Sequence, residues 1–178
     1  MNAIPRPSNA GFSLVELLVG LAVLGIVLSV ALPSFSEVRQ NQILSGAAEK
    51  FAADVHLWRS SAIKQNKPVV VALAQSNGGN TWCYGATDTS STGCDCLNSN
   101  ACSVESNSRV VSQADFRSVG IVISNITSNL LTLQPRGFID VTNAKVSFTS
   151  NSKTIVANIG ATGKVALCSD SVKTYKLC

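Results

Sequence analysis

Between Phe12 and Leu32 only Ser13, Glu16 and Ser29 interrupt an apolar run. Roughly 21 residues rising about 1.5 Å each match the hydrocarbon core of a bilayer, so the pattern predicts a membrane-spanning helix. A secretory signal peptide fits less well, because its apolar region is about 7–15 residues long and ends at a small-residue cleavage site. The leader MNAIPRPSNAG is short and polar, with Arg6 its only charge. By the positive-inside bias, that arginine predicts a cytoplasmic placement of the extreme N-terminus. Pro33 follows the run and lacks a backbone N–H, so it either ends the helix or bends it near the membrane exit.

Beyond Pro33 a helical period resumes. Leu44, Ala47, Ala48, Phe51, Val55, Trp58 and Ala62 recur at spacings of three and four, which predicts one apolar stripe packed on something, most simply a sheet. Glu37, Arg39, Gln40, Lys50, Asp54 and Arg59 fill much of the remaining surface as a solvated face. The helix is expected to stop near Asn66, since Pro68 disfavours helical geometry in the residue before it and the chain then turns β-branched. Strands are predicted over Val69 to Leu73, Arg109 to Val111, Gly120 to Ile123, Leu130 to Leu133, Val146 to Phe148, Thr154 to Ile159 and Lys164 to Cys168. Turn residues such as Asn77, Gly78 and Gly79, then Pro135, Arg136 and Gly137, then Gly160 and Gly163 separate them. The fold class is α+β: a long N-terminal helix, transmembrane in its first half, whose second half packs on an antiparallel sheet. The residues after the helix suffice for one compact domain, and no internal repeat is visible.

Glu16 is the informative exception in the apolar run. An ionised side chain in lipid costs roughly 2.5–3.5 kcal/mol on insertion scales, so it needs a partner. The polar leader ending in Gly11, then Phe12, Ser13, Leu14, Val15 and Glu16, the apolar run and Pro33 together resemble a type IV prepilin or a type II secretion pseudopilin. The resemblance implies that residues 1–11 are a leader removed by a membrane-embedded prepilin peptidase cutting after Gly11. Phe12 would then be N-methylated, residues 12–33 would form the transmembrane assembly helix, and residues 34–178 the periplasmic pilin-like domain. It also implies that Glu16 neutralises the N-terminal amine of a neighbouring subunit during assembly. Electrostatics point the same way: cleavage leaves an ammonium at Phe12 within a turn of Glu16, and removing one partner of a buried pair costs about 3–5 kcal/mol.

Cys83, Cys94, Cys96, Cys102, Cys168 and Cys178 all follow the membrane run. An even number on the exported side predicts disulfides formed in an oxidising periplasm. Many connectivities are open; Cys168 and Cys178 close a short C-terminal loop and are a reasonable pair. The other four sit in a Ser/Thr/Asn/Gly-rich stretch that would be poorly ordered without covalent staples. A metal site is disfavoured, because the paired C-x2-C spacing of zinc folds is missing and no histidine is nearby. No cofactor is expected. His56, the single histidine, lies on the amphipathic helix as a surface or packing residue, and no nucleophile, phosphate-loop or dinucleotide motif appears. The chain does not read as an enzyme.

The net charge is +4, and a modest basic excess from Lys145, Lys153, Lys164, Lys173 and Lys176 marks the C-terminal part. Here the long helix, LTLQPRGFIDV and NIGATGKVALC resemble the GspH/FimT family of minor pilins and pseudopilins, FimU-like members included. The resemblance implies a structural subunit of a type IV pilus or type II secretion pseudopilus. Such a subunit sits in the inner membrane before assembly, partners other major and minor pilins and primes filaments at the tip. In FimT-like members, arginines of a G-R-x-R tail are implicated in binding DNA during natural transformation. At the matching positions this chain has Gly163, Lys164, Val165 and Ala166. Lysine still neutralises a phosphate but gives up arginine's two-pronged contact, and alanine supplies nothing. The alternative of a double-stranded DNA receptor would rest on Lys164, Lys173 and Lys176; a solvated lysine face is the plainer account. Trp82 and Tyr84 are either stacking surfaces for single strands or core anchors beside Cys83.

Overall fold

A computed structural model describes residues 13–97, 101–141 and 143–178, apart from the side chains of residues 30–34. Gly11 and Phe12 lie outside the described residues. One helix, α1, runs Leu14–Gln65, so Pro33 does not end it. Its end is set by Asn66, whose positive φ of 53° turns the chain out of the helix. The Asn66 and Lys67 amides donate to the carbonyls of Ile63 and Ala62 at 3.3 and 3.2 Å. That pair of bonds satisfies two of the terminal carbonyls, and Asn tolerates the left-handed conformation it requires.

The chain divides into two units, with the boundary between Arg39 and Gln40. Among the described residues the second unit carries ten strands: β1 (Val69–Ser76), β2 (Thr81–Thr87), β3 (Ser103–Val104), β4 (Asn107–Ser108), β5 (Val110–Ser112), β6 (Gly120–Ser124), β7 (Leu130–Leu133), β8 (Ala144–Ser150), β9 (Lys153–Ile159) and β10 (Val165–Cys168). The antiparallel sheet expected from the sequence takes the form of two four-stranded sheets, ordered β5-β2-β1-β7 and β10-β9-β8-β6, with β3 and β4 as a separate hairpin. All ladders between strands are antiparallel. Strand β2 was not among the sequence-predicted strands, because Gly85 and the cysteines make TWCYGAT look like the start of a stapled loop.

Every residue of the helical stripe, from Leu44 through Phe51 and Trp58 to Ala62, is at most 2 % exposed. The stripe meets both sheets. The Phe51 ring lies 5.2 Å from that of Tyr84 on β2 and 5.7 Å from that of Phe148 on β8. Trp82 is edge-on to Phe148 at 6.4 Å, and its indole N–H donates to the Val119 carbonyl at 2.7 Å. Trp82 and Tyr84 are therefore core anchors, with no face left for a base to stack on.

Asp54 departs from the expected solvated face: it is 2 % exposed. It sits between Phe51 and Val55 along the chain, at the border of the stripe, where its carboxylate can be buried only if partnered. Lys50, one turn back, supplies an ion pair at 2.6 Å, the Tyr84 hydroxyl donates at 3.2 Å, and Arg109 stands 3.8 Å away. Burial first, and the adjacent Asp54 carboxylate second, push the Tyr84 phenol well above its ordinary range, which keeps it a hydrogen-bond donor.

The outward face of the first sheet is built from small residues. Ala72 pairs with Gly85 and Ala74 with Cys83 in the β1–β2 register, and residues 93–96 and Cys102 cover them. Gly93 packs on Ala72, Val70 and Leu130, while Cys102 packs on Gly85. Bridges Cys83–Cys96 and Cys94–Cys102 hold this stretch down, and a third, Cys168–Cys178, closes the C-terminal loop. Each bridge is worth about 2–4 kcal/mol against an open chain. Replacing Cys94 and Cys102 together by serine is therefore expected to leave both sheets folded and to open residues 89–97 to proteolysis. The check is mass mapping after a broad-specificity protease, since no lysine or arginine lies between Pro68 and Ser108. Resistance equal to the parent chain would contradict it.

Candidate functional site

Two regions carry the residues that the sequence singles out. The first is the start of α1. Ser13 precedes the helix, its carbonyl accepts the Leu17 amide at 3.1 Å, and Glu16 lies in the first turn. Serine before the helix with glutamate three residues on is capping-box spacing, a local signal readable in the sequence. A carboxylate there also opposes the positive end of the helix dipole. Side chains from Ser13 to Ser29 are exposed, Leu14 at 75 % and Ile26 at 68 % among them. Among the described residues no helix is long and apolar enough to cross a membrane. The run expected to span begins at Phe12 and ends at Leu32, so it extends past the described side chains at both ends.

The second region is the β9–β10 turn, which carries Gly160, Gly163 and Lys164. Gly160 accepts from and donates within the turn: its amide donates to the Lys164 carbonyl at 2.9 Å, and the Gly163 amide donates back to its carbonyl at 2.8 Å. The Ile139 amide donates to Ala161 at 2.8 Å, so the two segments LTLQPRGFIDV and NIGATGKVALC meet. Arg59 of α1 lies between them. Its Nε donates to the Gly137 carbonyl at 3.3 Å, and a side-chain carbon on Gly163 would fall 2.7 Å from the Arg59 Cδ. Both glycines also have positive φ, 82° and 74°, a conformation in which side chains are strained. Sequence reasoning placed Arg59 on a solvated face and missed this clasp; two glycine turns give no hint of which distant side chain they accommodate.

Lys164, Lys173 and Lys176 are exposed but are not gathered. Lys164 precedes β10, whereas Lys176 forms a bridge beside Cys168 at its far end, so a strand of roughly 13 Å separates them. The loop bearing Lys173 and Lys176 is tied to α1 instead: the Tyr175 hydroxyl donates to Glu49 at 2.7 Å. Partial burial raises the Tyr175 phenol above its ordinary range. Among the described residues, no group of His, Cys, Asp or Glu is placed to hold a metal, the cysteines are all in disulfides, and His56 is exposed.

A long helix on antiparallel sheets, with stapled loops and an acid in the first turn of an apolar segment, defines a pilin-like subunit. The family description "Type II transport protein GspH" matches residues 47–167, and a prokaryotic N-terminal methylation motif matches residues 6–32. The chain belongs to the GspH family: it is a minor pilin or pseudopilin, a structural protein and not an enzyme. The methylation motif implies anchoring in the inner membrane before assembly, processing by prepilin peptidase and partnership with other pilins. It does not support DNA as a partner. Two crystal structures of the type IV minor pilin FimU of Pseudomonas aeruginosa are similar in fold. One, at 20% identity, covers 75% of this chain and 91% of that one with a TM-score of 0.50. The other, at 18%, covers 69% and 90% with a TM-score of 0.47. No curated protein matches the chain by sequence.

The clasp predicts a contrast between neighbouring glycines. Gly163→Ala is expected to cost about 1–3 kcal/mol of stability, through the strained backbone and the collision with Arg59. Gly160→Ala, whose added carbon would meet only the Lys164 carbonyl at 3.7 Å, is expected to cost well under about 1 kcal/mol. Urea unfolding of the two variants decides it; equal losses would remove the clasp.

Proposed function

We propose that the chain is a minor subunit of a type IV pilus or type II secretion pseudopilus that enters the filament through its N-terminal helix and acts in priming assembly at the tip. Prepilin peptidase cuts after Gly11 and methylates Phe12. Residues 12–33 hold the subunit in the inner membrane as a single span, and residues 34–178 stand in the periplasm until assembly carries them to the filament surface. FimU, whose fold is similar, is a type IV minor pilin, and the same place among minor subunits is assigned to this chain.

The observation that carries the reading is the composition of the exposed helix. Leu14, Val15, Leu17, Leu18, Val19, Leu21, Val23 and Leu24 are all more than half exposed, a larger apolar surface than soluble monomers leave uncovered. Lipid covers it before assembly and the helices of neighbouring subunits cover it afterwards. Gly20, Ala22 and Gly25 let those helices approach closely. Glu16 is the one ionisable group in that segment, and in a lipid-like bundle its partner is the amine of a neighbour's Phe12.

Glutamine separates this role from helix capping. Capping boxes accept Glu or Gln at the third helical position, so a capping role survives Glu16→Gln and fails in Glu16→Ala. A charge-pairing role fails in both. The expected result is that both variants are processed and membrane-bound but enter sheared filaments at least tenfold less than the parent, measured by immunoblot. Normal incorporation of Glu16→Gln would overturn the pairing.

A further inference from the structure

We infer that the end of the second unit at which α1 finishes docks an acidic surface of a different pilin subunit. This docking rests on the filament-subunit reading, because other pilins are the partners that the family assignment brings to the chain.

Exposed cations gather at that end from separate segments. Val69 pairs with Leu133, so Lys67, just before β1, comes out at the same end as Arg136, just after β7. Ala144 pairs with Ile159, so Lys145 comes out at the end where the β9–β10 turn carries Lys164. A carbon on Gly163 would lie 3.6 Å from the Gly137 carbonyl, which joins the two groups. Lys67, Arg136, Lys145 and Lys164 are exposed, and none has an ion-pair partner among the described residues. Lys64, also near the helix end, is taken by Glu105 at 3.6 Å. The acid carried by these segments, Asp140, accepts from the Gln134 side-chain amide at 2.8 Å. Arg59 sits against both glycine turns, so the rim keeps its shape before any partner arrives.

This rim lies far from the point where the chain enters the unit. Asn151, in the β8–β9 turn, donates to Gln40 at 2.6 Å, and Arg59 stands about 28 Å further along α1. Strands β8 and β9 run between the two ends: their turn meets Gln40, and Ile159 leads into the glycine turn. Docking at the rim therefore leaves the chain entry uncovered.

Phe138, between Gly137 and Ile139, is 57 % exposed. An aromatic ring among cations has the composition of a protein interface, where aromatic residues and arginine are enriched. Its complement is a surface with carboxylates around an apolar spot. A second copy presenting the same rim would set cation against cation, so the occupant is a different chain. Nucleic acid fits less well: a phosphate backbone follows a charged groove, and Ala166 stands where the family's tail would supply a second arginine. Because the cations are exposed, the contact weakens with salt.

The test places a benzophenone amino acid at position 138 of the full chain in its native host, irradiates the cells and identifies the adduct by mass spectrometry. The expected adduct is with a different chain that has a prepilin-type N-terminus, through a peptide with more Asp and Glu than Lys and Arg. Adducts confined to copies of this chain, to nucleic acid or to lipid, or no adduct at all, overturn the proposal. The captured pilin is then titrated against the full chain in detergent. Arg136→Glu with Lys164→Glu is expected to weaken binding at least tenfold, and Lys173→Glu, outside the rim, less than twofold. Reversing the acids of the cross-linked peptide to lysine is expected to restore binding to the Arg136→Glu, Lys164→Glu chain within about threefold, which a merely misfolded variant cannot do. Equal losses for rim and control variants, or no recovery, overturn the proposal. Filament entry is scored separately: a chain cross-linked to an acidic pilin yet absent from sheared filaments fails the assembly reading and not this one, and normal entry without a pilin adduct does the reverse.

Discussion

Phe51 has one aromatic neighbour in each sheet, Tyr84 at 5.2 Å and Phe148 at 5.7 Å, and the second unit depends on that double contact. Each sheet alone has one apolar face and would have to find a second layer. The α1 stripe serves both, and the buried side chains of Val71, Leu73, Leu131, Val146 and Ile155 join it in a single core. At about 1.5–3 kcal/mol for each fully buried large side chain, the stripe dominates any surface ion pair in the molecule. The Asp54 network adds direction to this adhesion. A carboxylate that meets Tyr84 of β2 and Arg109 beside β5 favours one rotation of the helix over the first sheet, where apolar contact alone would tolerate several.

A single helix therefore has two chemistries along its length. Leu14 to Leu28 presents apolar side chains outward on all sides, with Glu16 the exception. Leu44 to Ala62 buries one stripe and solvates the rest. A segment apolar all round belongs in lipid or in a bundle of its own kind, while a one-sided stripe belongs on a sheet. On the proposed function this division has a meaning, since filament assembly and the folded head would draw on separate stretches of one element.

Much of this was legible in the chain because it is periodic. The spacing of three and four from Leu44 to Ala62 gave the buried face residue by residue, and Asn66 with Pro68 gave the helix end. Leu130–Leu133 was read without error because turn residues bound it on both sides. The prepilin pattern was legible because Gly11, Phe12, Glu16 and the apolar run lie within one short segment. What stayed hidden depends on contacts distant in sequence. Asp54 looks solvated on a helical projection, and only Tyr84 and Arg109, far along the chain, explain its burial. Arg59 between Gly137 and Gly163 is hidden for the same reason. Strand β2 was obscured because its outward residues, Cys83 and Gly85, are chosen to fit a covering loop and not to alternate in polarity. The disulfide pairing among Cys83, Cys94, Cys96 and Cys102 follows from that covering and has no local signature.

If the stripe is what unites the two sheets, weakening its centre must loosen both together. Residue-resolved hydrogen exchange on the full chain carrying Phe51→Ala tests this directly. The substitution should cost about 3–5 kcal/mol and lower amide protection in β1 and β2 by the same factor as in β8 and β9. Loss of protection confined to one sheet, with the other unchanged, would show that the sheets are stabilised separately and would contradict the account.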